Sequence, residues 1–194
     1  MLKIKKISYN SPVILTFTFI SLAALILNTL TGGVTNALLF SVYRAPLTDP
    51  LFYPRLFLHV LGHSGLSHFV GNFTIILLIG PMLEEKYGWK LLLILIAVTA
   101  FITGLVNVLF FSTGLLGASG VAFMLIILSS FANSDQDTIP LTFILVALVY
   151  IGGEILNGLF TRDDIAQFAH IIGGVCGGAA GLVYSGTNIG KKRR

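Results

Sequence analysis

Six apolar stretches, near residues 12–32, 67–83, 89–111, 116–132, 140–158 and 166–186, take up most of this 194-residue chain. A helix needs about 20 mainly apolar residues to cross a bilayer, so the pattern predicts an all-α membrane protein built as a six-transmembrane-helix bundle. Composition rules out the soluble alternative. Only 10% of the residues are charged and 55% are hydrophobic, with a mean hydropathy of +0.92, whereas a soluble domain carries roughly 25% charged residues. The connections are short, no low-complexity linker or solenoid repeat interrupts the chain, and the one sizeable loop lies near 42–66. Residues 1–194 therefore read as a single polytopic membrane domain with short tails at 1–11 and 187–194.

Lys3, Lys5 and Lys6 precede the first apolar run and "TNA" follows it, the outline of a cleaved leader. The run is longer than the 7–15 residues of a typical signal core, and the chain goes on crossing the membrane, so it reads as a retained first span. Basic residues then set the orientation. With the N-terminus inside, Lys3, Lys5, Lys6, Lys86, Lys90, Lys191, Lys192, Arg193 and Arg194 fall on the cytoplasmic side, and only Arg44, Arg55 and Arg162 fall outside. Both termini are thus expected in the cytoplasm, in what reads as a bacterial inner membrane. The net charge of +4 is topogenic on this reading and implies no nucleic-acid partner. Cys176 is the single cysteine, which excludes an internal disulfide; in an apolar, glycine-rich helix it reads as a small packing residue.

Polar side chains inside a span are costly and tend to face the protein interior, where they mark function. They occur in four places: His63, His68 and Asn72 in "HSGLSHFVGN" at the head of span two, Ser119 in "GASG" at the head of span four, Glu154 late in span five, and His170 early in span six. Spans two, four and six all start on the outer side in the expected topology, so His68, Ser119 and His170 share one depth. A hydroxyl, an imidazole and a His/Asn pair on three helices are the parts of an acyl-transfer site: a nucleophile with its base, and donors for a developing oxyanion. His68 and Asn72, four residues apart, share a helical face. Ser119 sits at a helix start flanked by Gly117 and Gly120, where unpaired amides and the dipole favour a negative oxygen, and its own N–H can be a further donor. His170, Gly173, Gly177 and Gly181 form a small-residue stripe that lets two helices approach closely; with span four as neighbour, the imidazole reaches the hydroxyl. Taken singly, each feature also has a plain packing reading, and for Glu154 a structural hydrogen bond within the bundle is preferred over catalysis.

From about Arg55 to about Ser185 the chain resembles the rhomboid intramembrane serine proteases, bacterial type with a six-span core. The match is carried by "HSGLSHFVGN", by "GPMLEEKYG" at the inner end of span two, by "GASG" against the family's G-x-S-G, and by "AHIIGGVCGG" as a histidine followed by spaced glycines. The resemblance implies a catalytic core over about 40–186, with Ser119 as nucleophile and His170 as general base of a dyad. It also implies an oxyanion site of His68, Asn72 and the Ser119 amide, with Gly117 shaping the turn. His63 and Arg55 would hold the partly embedded first extracytoplasmic loop, 42–66, and Glu84 would be structural in the inner turn between spans two and three. Gly173 and Gly177 would set helix distance. Phe123 stands where many bacterial members have tyrosine, so packing beneath the imidazole is expected without a hydroxyl bond; Pro81 in the inner turn is a further departure. The implied function is an endopeptidase that cuts transmembrane segments of other membrane proteins, with substrate entry between spans two and five under a cap near "NGLFTRDD". No cofactor is implied, and partners are transmembrane substrates and the lipid bilayer.

Two rivals remain at this level. Three histidines in one region invite zinc, but there is no H-E-x-x-H and no acidic ligand among them, so no metal is expected. A catalytically inactive relative that binds transmembrane clients would lack a member of the dyad, and here both Ser119 and His170 are present.

Overall fold

A computed structural model describes residues 7–135, 138–149 and 164–185, with side chains from residue 167 onward in the last of these segments. The chain is an all-α membrane bundle. Helix α1 (Pro12–Leu30) starts with proline at its first helical position, where a missing N–H costs nothing. A long loop follows, with a π-helical turn at Asn36–Phe40, extended backbone, the short helix α2 (Phe52–Leu58) and a 3₁₀ turn at His59–Leu61. Then come α3 (Leu66–Tyr87), α4 (Trp89–Phe110), α5 (Ser119–Ser129), α6, described over 141–149, and α7 (Asp164–Tyr184).

Helices α1, α3 and α4, and Gln167–Tyr184 of α7, are long and apolar enough to span a bilayer. Their outward faces are apolar, as at Leu78, Leu93, Ile94 and Val175. The core lies where α3, α4 and α5 meet, around Phe73, Ile76, Leu83, Leu92, Met124, Leu125 and Leu128. Helix α5 is the central one, with Val121, Ala122, Met124, Leu125, Ile127 and Leu128 buried.

Two boundaries differ from the sequence expectation. The fourth span, expected over 116–132, is helical only over Ser119–Ser129. Eleven residues rise about 16 Å, about half the hydrocarbon thickness, so the backbone before Ser119 enters the bundle without helical hydrogen bonds. Inside a membrane such backbone needs protein partners, and it has them. Val42 and Leu115 exchange two backbone bonds of 2.9 Å, and Asn107 Nδ2 donates to the carbonyls of Val42 and Thr113, each at 3.1 Å. The second difference is at the opposite end. Helix α3 runs on to Tyr87 and α4 begins at Trp89, so the connection is Gly88 alone, at φ +82°. Glu84 and Pro81, expected in an inner turn, therefore lie within α3. Glu84 is structural from that position: its carboxylate accepts the amides of Val13 (3.0 Å) and Ile14 (3.1 Å), capping α1 where Ser11 makes no side-chain cap.

Candidate active site

The turn that delivers Ser119 is built around one glycine. Gly117 has φ +126°, a conformation L side chains rarely adopt, and a Cβ there would lie 2.7 Å from His68 Nε2, 2.8 Å from His68 Cε1 and 3.8 Å from Asn72 Nδ2. The backbone of the turn is thus pressed directly against His68 and Asn72 of α3. Its position is fixed from the first loop, because the Gly117 amide donates to the carbonyl of His59 at 2.9 Å. Helix α5 starts at Ser119, so the Ser119 amide lies in a first turn with no intrahelical acceptor.

Helix α7 approaches α5 along the glycine stripe. A Cβ on Gly173 would overlap the carbonyl oxygen of Gly120, one on Gly177 that of Met124, and one on Gly181 the ring of Phe131. Between them the two helices bring Gly120 against Ala169: a Cβ on Gly120 would sit 3.1 Å from the Ala169 carbonyl oxygen. The residues flanking that crossing are Ser119 and His170. The imidazole of His170 lies flat on the ring of Phe123, with centroids 4.1 Å apart and planes within 5°. The three helix starts that the sequence placed at one depth therefore meet at one end of the bundle.

His63, in the turn before α3, is fully buried and wired to this group. Its Nδ1–H donates to the Leu61 carbonyl (3.2 Å), which leaves Nε2 to accept from Asn72 Nδ2 (3.1 Å). One hydrogen of the Asn72 amide is thereby used, and its second can serve a ligand in front of the turn. Burial holds the His63 imidazole down at about 4, with the Leu61 bond opposing, so it is neutral at neutral pH, as this bonding requires. The His63 carbonyl in turn accepts from Asn36 Nδ2 at 2.9 Å. Arg55, also buried, pairs with Asp49 (2.7 Å), donates to the Leu38 carbonyl (2.8 Å) and lies over the Tyr43 ring at 4.5 Å. It ties the loop to itself.

The sequence reading puts His59 in the entering loop without giving it a role, and it overlooks Asn107 and Asn36. His59 acts through its carbonyl, which no side-chain pattern reveals; its Nε2–H donates to the Ala100 carbonyl at 3.0 Å. Asn107 and Asn36 carry a signal, since each is a buried amide within or beside an apolar stretch. Glu154 lies outside the described residues, as do span five beyond 149 and most of the proposed cap. Among the described residues no group of three or more His, Cys, Asp and Glu side chains could hold a metal ion.

A serine at a helix start, beside amide and imidazole donors and across from a ring-stacked histidine, can attack a carbonyl and stabilise the resulting oxyanion. No match was found among curated proteins. The family model described as Rhomboid domain matches residues 52–187, well over half of the chain and every helix that contributes to this site, so the chain belongs to the rhomboid family.

Proposed function

We propose that the protein is an intramembrane serine endopeptidase that cleaves transmembrane segments of other membrane proteins. The observation that carries this reading is the turn at Gly117–Ser119, pressed against His68 and Asn72 on one side and against the α7 crossing below His170 on the other. In the reaction, Ser119 Oγ attacks the scissile carbonyl carbon while His170 takes its proton. The carbonyl oxygen becomes negative and accepts from His68, Asn72 and the Ser119 amide. Collapse breaks the C–N bond as His170 returns the proton to the leaving amine. Water, deprotonated by His170, then hydrolyses the acyl-enzyme and frees Ser119. Substrate helices must unwind locally to expose a carbonyl, which Gly, Pro or polar residues near the cut favour. We place both termini in the cytoplasm of a bacterial cell and the site towards the outer face of its inner membrane, on the distribution of Lys and Arg.

The test is cleavage of a reconstituted transmembrane substrate in liposomes. Wild type should cut it, and be labelled at Ser119 by a fluorophosphonate regardless of chelators; Ser119→Ala and His170→Ala should each abolish cutting while retaining the wild-type melting temperature. Undiminished cleavage by Ser119→Ala would sink the mechanism. A wild-type chain that binds such helices without ever cutting them would instead be an inactive, client-binding relative.

A further inference from the structure

We propose that Ser64 is a positioning residue that sets the tautomer of His68; this rests on the protease reading above and deepens it. Ser64 Oγ lies 3.1 Å from His68 Nδ1, four residues on. A serine just before a helix commonly caps its free amides, but α3 has Gly65 as its N-cap and no side-chain cap bond. The hydroxyl is turned to the imidazole instead. The other nitrogen of that ring, Nε2, is the one against Gly117, so the imidazole bridges from Ser64 on one side to the Ser119 turn on the other.

A neutral imidazole carries one N–H. It can donate to an oxyanion in front of Gly117 only if that hydrogen is on Nε2, which requires Nδ1 to be an acceptor. The Ser64 hydroxyl donating to Nδ1 stabilises this form. The reverse arrangement, with Nδ1–H donating to Ser64, would aim a lone pair at the oxygen that turns negative. His63, five residues earlier and 5.0 Å from His68 between ring centroids, is bonded the other way round: its Nδ1 carries the hydrogen and its Nε2 accepts from Asn72. Two adjacent histidines are thus set in opposite tautomers by partners within residues 61–72, one to receive and one to give. Ser64 is exposed, so its hydroxyl can be removed without opening the core.

The experiment has two arms. In ¹⁵N-histidine-labelled Ser119→Ala protein in bicelles, His68 should show the Nε2–H form, and adding Ser64→Ala should shift it towards a mixture. In the liposome assay, Ser64→Ala should lower kcat roughly three- to tenfold with KM unchanged, Ser64→Thr should restore it, and Ser64→Ala should cause no further loss in a His68→Ala background. A His68 protonated on Nδ1 in the parent, a wild-type kcat for Ser64→Ala, or an equal loss with His68 already removed would each overturn the proposal. If the wild-type chain cuts nothing, the protease reading fails while the resonance arm still decides the tautomer.

Discussion

Phe123 and His170 are stacked in parallel, 4.1 Å between ring centroids and 5° between planes, although they belong to different helices. A flat stack restricts rotation of the imidazole about its last torsion, the torsion that would decide where its base nitrogen points. The residue four positions after Ser119 is therefore an orienting surface, and no hydroxyl is needed for that. Phe123→Ala should lower kcat about fivefold, since an aromatic pair contributes ~1 kcal/mol beyond buried area. Phe123→Tyr should stay within about twofold, because the ring is kept. Cleavage rates normalised to folded protein check this; a wild-type rate for the alanine variant would show that the imidazole is held by something else.

Gly117 offers a sharper test, because two independent constraints coincide there. Its φ of +126° is strained for any L side chain, and the added methyl would meet His68 Nε2 at 2.7 Å. Gly117→Ala is expected to displace the imidazole from the turn and reduce kcat by about 10²–10³, the cost of one lost oxyanion donor. Gly71→Ala is the control: it lies in α3 one residue before Asn72, and a Cβ there meets nothing within 4 Å. That variant should cleave normally and melt slightly higher, since alanine favours a helix interior over glycine by roughly 0.5–1 kcal/mol. Equal activity in the two variants would remove the turn from the oxyanion site.

What is legible in the sequence is whatever follows from periodicity and from the cost of polarity in lipid. The apolar runs locate α1, α3, α4 and α7 to within a few residues, and the four-residue spacing of His68 and Asn72 puts them on one face of α3. The glycines at 173 and 177 point to a close partner, which α5 proves to be. The first loop is not legible in the same way. Sequence spacing separates His63, in a turn, from Asn72, in a helix, yet a single hydrogen bond of 3.1 Å joins them. Hydropathy alone starts α5 early for a related reason. It does not distinguish apolar helix from apolar extended chain, and what keeps the backbone before Ser119 extended is the bridge between Leu115 and Val42, far apart in sequence.

The loop histidines make stability depend on pH. Burial holds the imidazoles of His59 and His63 at about 4, against an ordinary value of 6.5. The unfolded chain then binds more protons than the folded one between these values, so unfolding gains from acid. The melting temperature should be level above pH 6.5 and fall as the pH drops from 6.5 towards 4, where the histidine contribution is exhausted. Asp49, held below the usual carboxylate range by the Leu51 amide and by Arg55, loses its contribution only at more acid pH and so does not obscure this window. His59→Gln keeps a donor for the Ala100 carbonyl without a titrating ring, and should lessen the slope. A melting temperature constant down to pH 4.5 would contradict the neutral, buried state of both rings.

The glycine stripe of α7 separates distance from chemistry. Gly173 and Gly174 are neighbours in sequence, but a Cβ on Gly173 would overlap the Gly120 carbonyl, whereas one on Gly174 would make an ordinary 3.7 Å contact with Ile127. Backbone cannot yield as a flexible side chain can, so Gly173→Ala must push α7 away from α5 at the level of Ser119. Small-residue contacts of this kind are what hold membrane helices together, since lipid supplies no hydrophobic force between them. Gly173→Ala is therefore expected to lose most cleavage and to melt several degrees lower, and Gly174→Ala to cleave like wild type and to melt no lower than it. Gly177→Ala, which meets the Met124 carbonyl one turn further along, should lower the melting temperature comparably but retain more activity, because the separation it forces is farther from His170. Thermal melts in detergent, paired with rates per folded molecule, distinguish these outcomes; equal rates for Gly173→Ala and Gly174→Ala would mean that the α5–α7 distance does not set the position of the base.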